Sequence, residues 1–311
     1  MLITRGFESV RAASRGCVVA IGTFDGLHLG HQAILERLKS CSRESGLPAA
    51  VLTFEPNPRE YLAPQSAPAR LMRLRDKAEM LDGMGVSELR VLRFGAELSA
   101  WDGVTFIDRV LDHGMGAKQV VIGSGFRYGR NRSGDVALLR SEGARRGFVV
   151  HDVSLLLDVG GGYVSSTRVR AALAAGRLDE AKSLLGRDYG IPGLVIEGMH
   201  LGRKIGFPTA NIRLYRRISP VAGVFAARVS GAGLAGHPGV AAVGTRPTVG
   251  GREMLLEVHL FDFDGDLYGQ RLTVYFIAKL RDEEHYPDLA TMTAQIRLDA
   301  SQARELLGVK G

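Results

Sequence analysis

Two histidines three residues apart, His28 and His31, stand in the run Gly22-Thr23-Phe24-Asp25-Gly26-Leu27-His28-Leu29-Gly30-His31. That spacing lets both imidazoles project the same way from the first turn of a helix. Backbone N–H groups at a helix start lack intrahelical partners and lie at the positive end of the dipole, so an anion is favoured there. Gly26 and Gly30 keep side chains clear of a close ligand. The chemistry this allows is binding of a nucleoside triphosphate, with two imidazoles stabilising charge that develops at a phosphorus. A second cluster is Gly198-Met199-His200-Leu201-Gly202-Arg203-Lys204-Ile205-Gly206-Phe207-Pro208-Thr209-Ala210-Asn211. Its glycines let backbone amides wrap phosphate oxygens. Thr209 and Asn211, two apart on an extended segment, offer hard oxygen ligands on one side, which suits magnesium. Glu257 lies in the alternating run Leu255–Phe261, where a carboxylate is either a solvated-face residue or a base. Ser165-Ser166-Thr167-Arg168-Val169-Arg170 opens a helix, and its hydroxyls with Arg170 either cap that helix or hold a triphosphate.

These groups need elements to position them. Over the first ~185 residues apolar runs alternate with helical patterns. The strands expected are Cys17–Ile21, Ala49–Phe54, Glu88–Phe94, Lys118–Ile122 and Phe148–Val153, nearly continuous in apolar character, as strands covered on both faces should be. The helices expected between them are His31–Ser40, Arg73–Leu81, Thr105–His113 and Asp135–Arg146. That alternation predicts an α/β, doubly wound parallel sheet with its ligand site beyond the carboxyl ends of the strands, where the two-histidine turn falls. Phe54-Glu55-Pro56-Asn57-Pro58 leaves the second strand at the same edge, stiffened by its prolines. A helical stretch over Arg168–Leu185 follows, and then the pattern changes to short alternating strands punctuated by glycine: Ile191–Glu197, Gly223–Val229, Val240–Val243, Leu255–Phe261 and Leu272–Ala278. These predict an antiparallel β-barrel closed off by a terminal helix over Asp288–Leu307. The domain boundary is expected near Gly186–Asp188, giving domains 1–186 and 187–311. Gly231-Ala232-Gly233-Leu234-Ala235-Gly236 matches GxGxxG, but His237-Pro238-Gly239 follows instead of a helix, so it reads as a hairpin loop.

The composition excludes several classes. At 311 residues, 45% hydrophobic and 23% charged, the chain is an ordinary globular protein long enough for two domains. Its apolar runs are far too short for a membrane span, and no secretory signal opens it. Two cysteines, Cys17 and Cys41, make no disulfide framework and fit a reducing cytoplasm. A net charge of +7 permits a polyanionic partner, yet no dedicated nucleic-acid motif accompanies it.

The two-histidine turn resembles the HxGH signature of the nucleotidyltransferase superfamily, in the GxFDGxHxGH form of its flavin-nucleotide branch. Phe54–Pro58 is similar to the FxPxP loop, Gly123–Gly129 to the GxDFxFG segment, and Ser165–Arg170 to the SSTxxR helix start of bacterial bifunctional riboflavin kinase/FAD synthetases. Gly198–Asn211 resembles the riboflavin kinase loop GxxxGRxxGFPTAN. Glu257, His259, Asp262, Phe263 and Leu267-Tyr268-Gly269 match ExHxxDFxxxLYG, and Leu280–Tyr286 resembles LRxExxF. The resemblance implies phosphorylation of riboflavin to FMN by the barrel, and adenylylation of FMN to FAD by the sheet domain, with ATP and magnesium. It implies Glu257, His28 and His31 as catalytic groups and Thr209 and Asn211 as metal ligands. Gly22, Phe24, Asp25, Gly26, Ser166, Thr167, Arg170, Gly198, Gly202, Arg203 and Gly206 become nucleotide contacts. Phe54, Pro56, Pro58, Phe126, Arg281 and Glu284 become flavin contacts. One departure stands out: Gly125 occupies the place of the family's Asp or Asn, which motivates the alternative of a riboflavin kinase whose first domain no longer turns over. The basic charge motivates another, a flavin- or RNA-binding regulator.

Overall fold

Strand β2 (Cys17–Ile21) is buried along its whole length, and its alternate residues enter two different cores. Val18 and Ala20 pack with Leu35, Leu38 and Leu81, whereas Val19 and Ile21 pack with Phe106, Ile107 and Leu111. A strand apolar on both faces must be covered on both, which is the doubly wound arrangement. In this computed structural model the described residues are 1–7, 16–198, 202, 205–215, 218–248 and 251–309. They divide into two compact units, 1–68 with 72–165, and 69–71 with 166–311.

The first unit is a six-stranded parallel sheet, introduced here in chain order: β1 (Leu2–Arg5), β2, α1 (Leu29–Ser45), β3 (Ala49–Glu55), α2 (Pro58–Leu62), α3 (Leu74–Gly83), β4 (Glu88–Arg93), α4 (Ala96–Ala100), α5 (Gly103–Phe106), β5 (Ala117–Gly123), α6 (Val136–Arg146) and β6 (Val149–Val153). The strand order is β1-β4-β3-β2-β5-β6, and every neighbouring pair is parallel. Strand β1 was not expected from the sequence; it has four residues, and Leu2 and Ile3 are exposed at the sheet edge. Strand β6 corrects the expectation of two covered faces: it is the other edge, and all five of its residues are exposed or half-buried. Strand β4 carries a buried charge, Arg90, answered by Glu88 at 2.8 Å. The helix expected over Thr105–His113 begins as α5 and continues as a π-helical stretch over Ile107–Gly114.

The second unit opens with α7 (Ser166–Ala174) and α8 (Leu178–Leu185). The single stretch expected here is broken at Gly176, whose φ of 70° a helix cannot hold. Strands β7 (Gly190–Ile196), β8 (Ala210–Arg213), β9 (Gly223–Gly231), β10 (Leu234–Thr248), β11 (Gly251–Leu260) and β12 (Arg271–Arg281) close an antiparallel barrel in the order β10-β11-β8-β7-β12-β9. Strand β8, absent from the expected set, is the bridge between β7 and β11 that lets the barrel close. Strand β10 extends well beyond Val240–Val243 because it pairs with β9 and β11 along its length. Ala232 and Gly233 join β9 to β10 with φ of 52° and 84°, so the GxGxxG match is a hairpin turn. Phe225, Val243, Leu256, Val258, Val274 and Phe276 fill the interior. Helix α9 (Leu289–Leu307), capped by Asp288 accepting from Thr291 N at 2.7 Å, lays Ala300, Ala303 and Leu307 against Val224, Ala226 and Val240 on the barrel's outer face.

Candidate active sites

The turn after β2 is built from its backbone upward. Gly22 N donates to Leu52 O at 3.1 Å, continuing the sheet for one residue. Phe24, Gly26 and Leu27 then take φ of 48°, 86° and 44°, three left-handed residues within four. Such a turn persists only when its surroundings hold it. Phe24 and Leu27 supply that hold with fully buried side chains. Asp25 is buried too, and its Oδ1 accepts the Met72 N–H at 3.1 Å. Phe24 and Asp25, expected as nucleotide contacts, therefore have inward side chains and offer a ligand only their backbone.

His28 is the N-cap of α1, and its Nδ1 accepts from His31 N at 3.3 Å. An accepting Nδ1 leaves Nε2–H as the ring's donor in the neutral form. The two imidazoles stack at 3.7 Å between centroids, with 19° between their planes, and Phe24 borders His31 at 5.2 Å. A Cβ on Gly30 would lie 3.2 Å from the His28 ring, so glycine leaves the ring room to lie over the helix start. The two histidines form one face, as their spacing predicted.

Beyond β3 and β5, Phe54, Pro58, Phe94, Phe106, Phe126 and Tyr128 line a cavity of about 380 Å³. Phe126 and Tyr128 stack at 5.4 Å and 14°, and Phe54 meets Phe94 edge-on at 6.0 Å. Arg59, Arg127, Arg130 and Arg132 also line it. Parallel aromatic planes beside guanidinium groups suit a flat ring system carrying an anionic group. Pro56 does not line this cavity; it follows a cis peptide bond and shapes the loop that delivers Pro58. Ser166 and Thr167 occupy the first turn of α7, and Arg170 Nε donates to Ala69 O at 2.6 Å.

In the barrel unit, Gly202, Thr209, Asn211, Glu257, Arg281 and Asp299 come together around a cavity of about 230 Å³, between the outer wall and α9. Glu257 stands directly opposite Asn211 across the β8–β11 pair. Asn211 is buried, and its Oδ1 has no hydrogen-bond partner among the described residues. An oxygen in that condition is available to a cation or a donor. Gly198 is required here, because a Cβ would fall 2.3 Å from Asn211 Nδ2; at Gly202 one would fall 2.2 Å from Phe207 O and 3.3 Å from Thr209 Oγ1. Gly206 has φ of 82°, while Arg203 lies outside the described residues. His259 Nδ1 donates to Pro208 O at 2.8 Å, which fixes the end of the glycine loop. Burial pushes the His259 imidazole's pKa down, against the opposing pull of that bond, so the ring is held toward its neutral form.

Arg281 is clamped by Asp299 through Nε–Oδ1 at 2.9 Å and Nη2–Oδ2 at 2.7 Å. Glu284 accepts from Tyr286 OH at 2.9 Å and does not line the cavity. Its neighbour Glu283 rests against Gly244, where a Cβ would collide with the carboxylate. Desolvation raises the Glu283 carboxyl's pKa, and the charge of Glu257 raises it further. Glu283 and Asp299 were not singled out from sequence. The LRxExxF pattern puts its Glu at Glu283, whereas the flavin contact expected from sequence is Glu284; the close approach to Gly244 distinguishes the two carboxylates.

A family model described as FAD synthetase matches residues 10–168, and one described as riboflavin kinase matches residues 185–307. The bifunctional riboflavin kinase/FMN adenylyltransferase of Pseudomonas fluorescens is 44% identical over 307 residues, 98% of each chain. Its counterpart in Escherichia coli (strain K12) is 43% identical over 310 residues, 99% of each chain. Among solved structures, one described as a macrolide-efflux protein from Streptococcus pneumoniae aligns with a TM-score of 0.83 at 28% identity, covering 98% of this chain and 99% of that one.

Proposed function

Because the chain belongs to the family of bifunctional riboflavin kinase/FMN adenylyltransferases, we propose a division of labour among its residues for the two reactions. The protein phosphorylates riboflavin to FMN and adenylylates FMN to FAD, both at the expense of ATP. In the barrel unit the riboflavin 5′-hydroxyl attacks the γ-phosphorus of ATP. Its proton passes to Glu257, the new P–O bond makes FMN, and the bond to ADP breaks. Thr209 and Asn211 would hold a magnesium ion, which would supply positive charge against the phosphates of ATP; the buried Asn211 Oδ1, without a hydrogen-bond partner among the described residues, fits that part. Gly198, Gly202 and Gly206 leave the phosphates room to approach the backbone. Arg281, locked by Asp299, lines the same cavity and is the flavin contact of this reading.

In the sheet unit an FMN phosphate oxygen attacks the α-phosphorus of ATP, and pyrophosphate leaves. His28 and His31 donate to the crowded phosphoryl group, where fixed donors stabilise developing charge. The isoalloxazine ring lies in the aromatic cavity of Phe54, Pro58 and Phe126. Ser166, Thr167 and Arg170, which belong to the second unit, are nucleotide contacts on the strength of the sequence resemblance alone. Domains 1–186 and 187–311 carry the adenylyltransferase and kinase activities respectively.

The observation that carries this reading is the meeting of Glu257, Asn211, Thr209 and Gly202 around one cavity on the barrel wall. Its test is a chromatographic time course of riboflavin with ATP. FMN and then FAD should accumulate with magnesium present, and chelation of the metal should stop FMN formation. FMN formed at an undiminished rate under chelation would remove Thr209 and Asn211 from the role given to them.

A further inference from the structure

Beneath the two-histidine turn lies a lysine that the mechanism above does not use. Lys77, on α3, is only 3% exposed. Its Nζ donates to Thr23 O at 2.5 Å and to Thr53 Oγ1 at 3.3 Å, and Thr53 Oγ1 itself donates to Thr23 O at 3.3 Å. A buried ammonium is disfavoured unless its charge is answered, and a methionine of similar length would often serve packing as well. What methionine lacks is a directional bond to the Thr23 carbonyl.

The peptide that carries this carbonyl is the one between Thr23 and Phe24. It is trans, so its C=O and N–H point in opposite directions. Drawing Thr23 O down onto Lys77 turns the Phe24 N–H away from Lys77. Phe24 needs such a constraint, because it holds φ of 48°, a conformation disfavoured for a bulky residue. Its ring is buried and Asp25 is tied to Met72, so the backbone is the part of this segment a nucleotide can use.

We propose that Lys77 is a positioning residue for adenylyl transfer: it holds the Thr23 carbonyl from below and so sets the peptide plane whose Phe24 N–H is presented to the phosphates of ATP. This rests on the reading of the His28–His31 turn as the adenylylation site. Lys77 touches no reacting atom itself, and acts through the backbone it holds.

The test is steady-state kinetics of both activities on full-length Lys77→Met, Thr53→Val and His28→Ala, with the melting of each recorded. Lys77→Met should lower kcat for FAD formation about 10–100-fold and raise KM for ATP several-fold, as misplacement of about an ångström does. KM for FMN and the riboflavin kinase rate should stay within twofold. A purely structural role would scale kcat with the folded fraction and leave KM for ATP unchanged, and that result overturns the proposal. Should Lys77→Met not fold, Thr53→Val removes the second hydrogen bond to the same carbonyl; KM for ATP should rise about threefold, and no rise overturns the proposal equally. If His28→Ala leaves FAD formation intact, the turn is not the adenylylation site and the underlying reading fails; an effect of His28→Ala without one of Lys77→Met sinks only the role of Lys77.

Discussion

Replacing Gly125 by aspartate should accelerate FAD formation. Gly125 sits in the tight turn closed by Phe126 N donating to Gly123 O at 2.9 Å, next to a wall of the aromatic cavity. A Cβ built there meets no atom within 4 Å, and its φ lies outside the left-handed region, so an L side chain enters without clash or strain. The chain gains slightly in stability, about 0.4–1 kcal/mol, because a side chain restricts the unfolded state. The restored carboxylate can accept one hydrogen bond from bound flavin or nucleotide. A hydrogen bond to a charged group contributes ~1.5–3 kcal/mol, or roughly ten- to hundredfold in rate if it forms in the transition state. The assay follows FMN and FAD chromatographically from riboflavin and Mg-ATP. The unmodified protein should accumulate FMN before FAD, and Gly125→Asp should shorten that lag with the first step unchanged. An unchanged or longer lag in a folded variant would show that the turn plays no part in the second step.

Two further predictions concern the barrel unit. Burial depresses the His259 pKa in the folded state, so the unfolded chain takes up its proton first as pH falls below about 6.5. Stability should therefore decline from pH 7.5 to 5.5, and His259→Gln, which keeps a donor for Pro208 O, should melt with a smaller decline; an equal decline removes His259 as its source. A fragment beginning at Gly186 keeps all six barrel strands and α9, and should fold and make FMN. It lacks the packing of α7 and α8, so it should melt below a fragment beginning at Ser166; an inactive fragment from Gly186 alone would move the functional boundary upstream.

The parallel sheet was legible because its central strands are apolar on both faces, a pattern that β2 displays without interruption and β3 breaks only at Thr53 and Glu55. Its edges were not. Strand β1 is too short and too exposed to leave a hydrophobic run, and β6 mixes His151 and Asp152 into a pattern otherwise typical of a covered strand. Strand β8 escaped notice because four residues are too few for the alternation Ala210-Asn211-Ile212-Arg213 to stand out after a Gly/Pro-rich loop; pairing with β7 and β11 makes them a strand. Spacing located groups that lie side by side, such as His28 with His31 and Thr209 with Asn211. It said little about direction. Asp25 points inward to Met72, and the Glu283 carboxylate rests against Gly244, and both facts depend on contacts distant in sequence. Lys77 was missed although the spacing Leu74-Lys77-Ala78-Leu81 sets it on the apolar face of α3, where a lone lysine signals a buried charge; its partner, Thr23 O, comes from a distant segment that spacing does not reveal.

The central claim is that two independent sites, one at His28 and one at Glu257, perform the successive steps. The direct measurement is a cross-test of Glu257→Gln and His28→Ala, each supplied with Mg-ATP and either riboflavin or FMN. Glu257→Gln should lose roughly 10²–10⁴-fold of riboflavin phosphorylation, as removal of a general base does, while converting supplied FMN to FAD at the normal rate. His28→Ala should make FMN normally and stop there. If either substitution disables both steps in a folded protein, or if neither affects its own step, the two-site account is wrong.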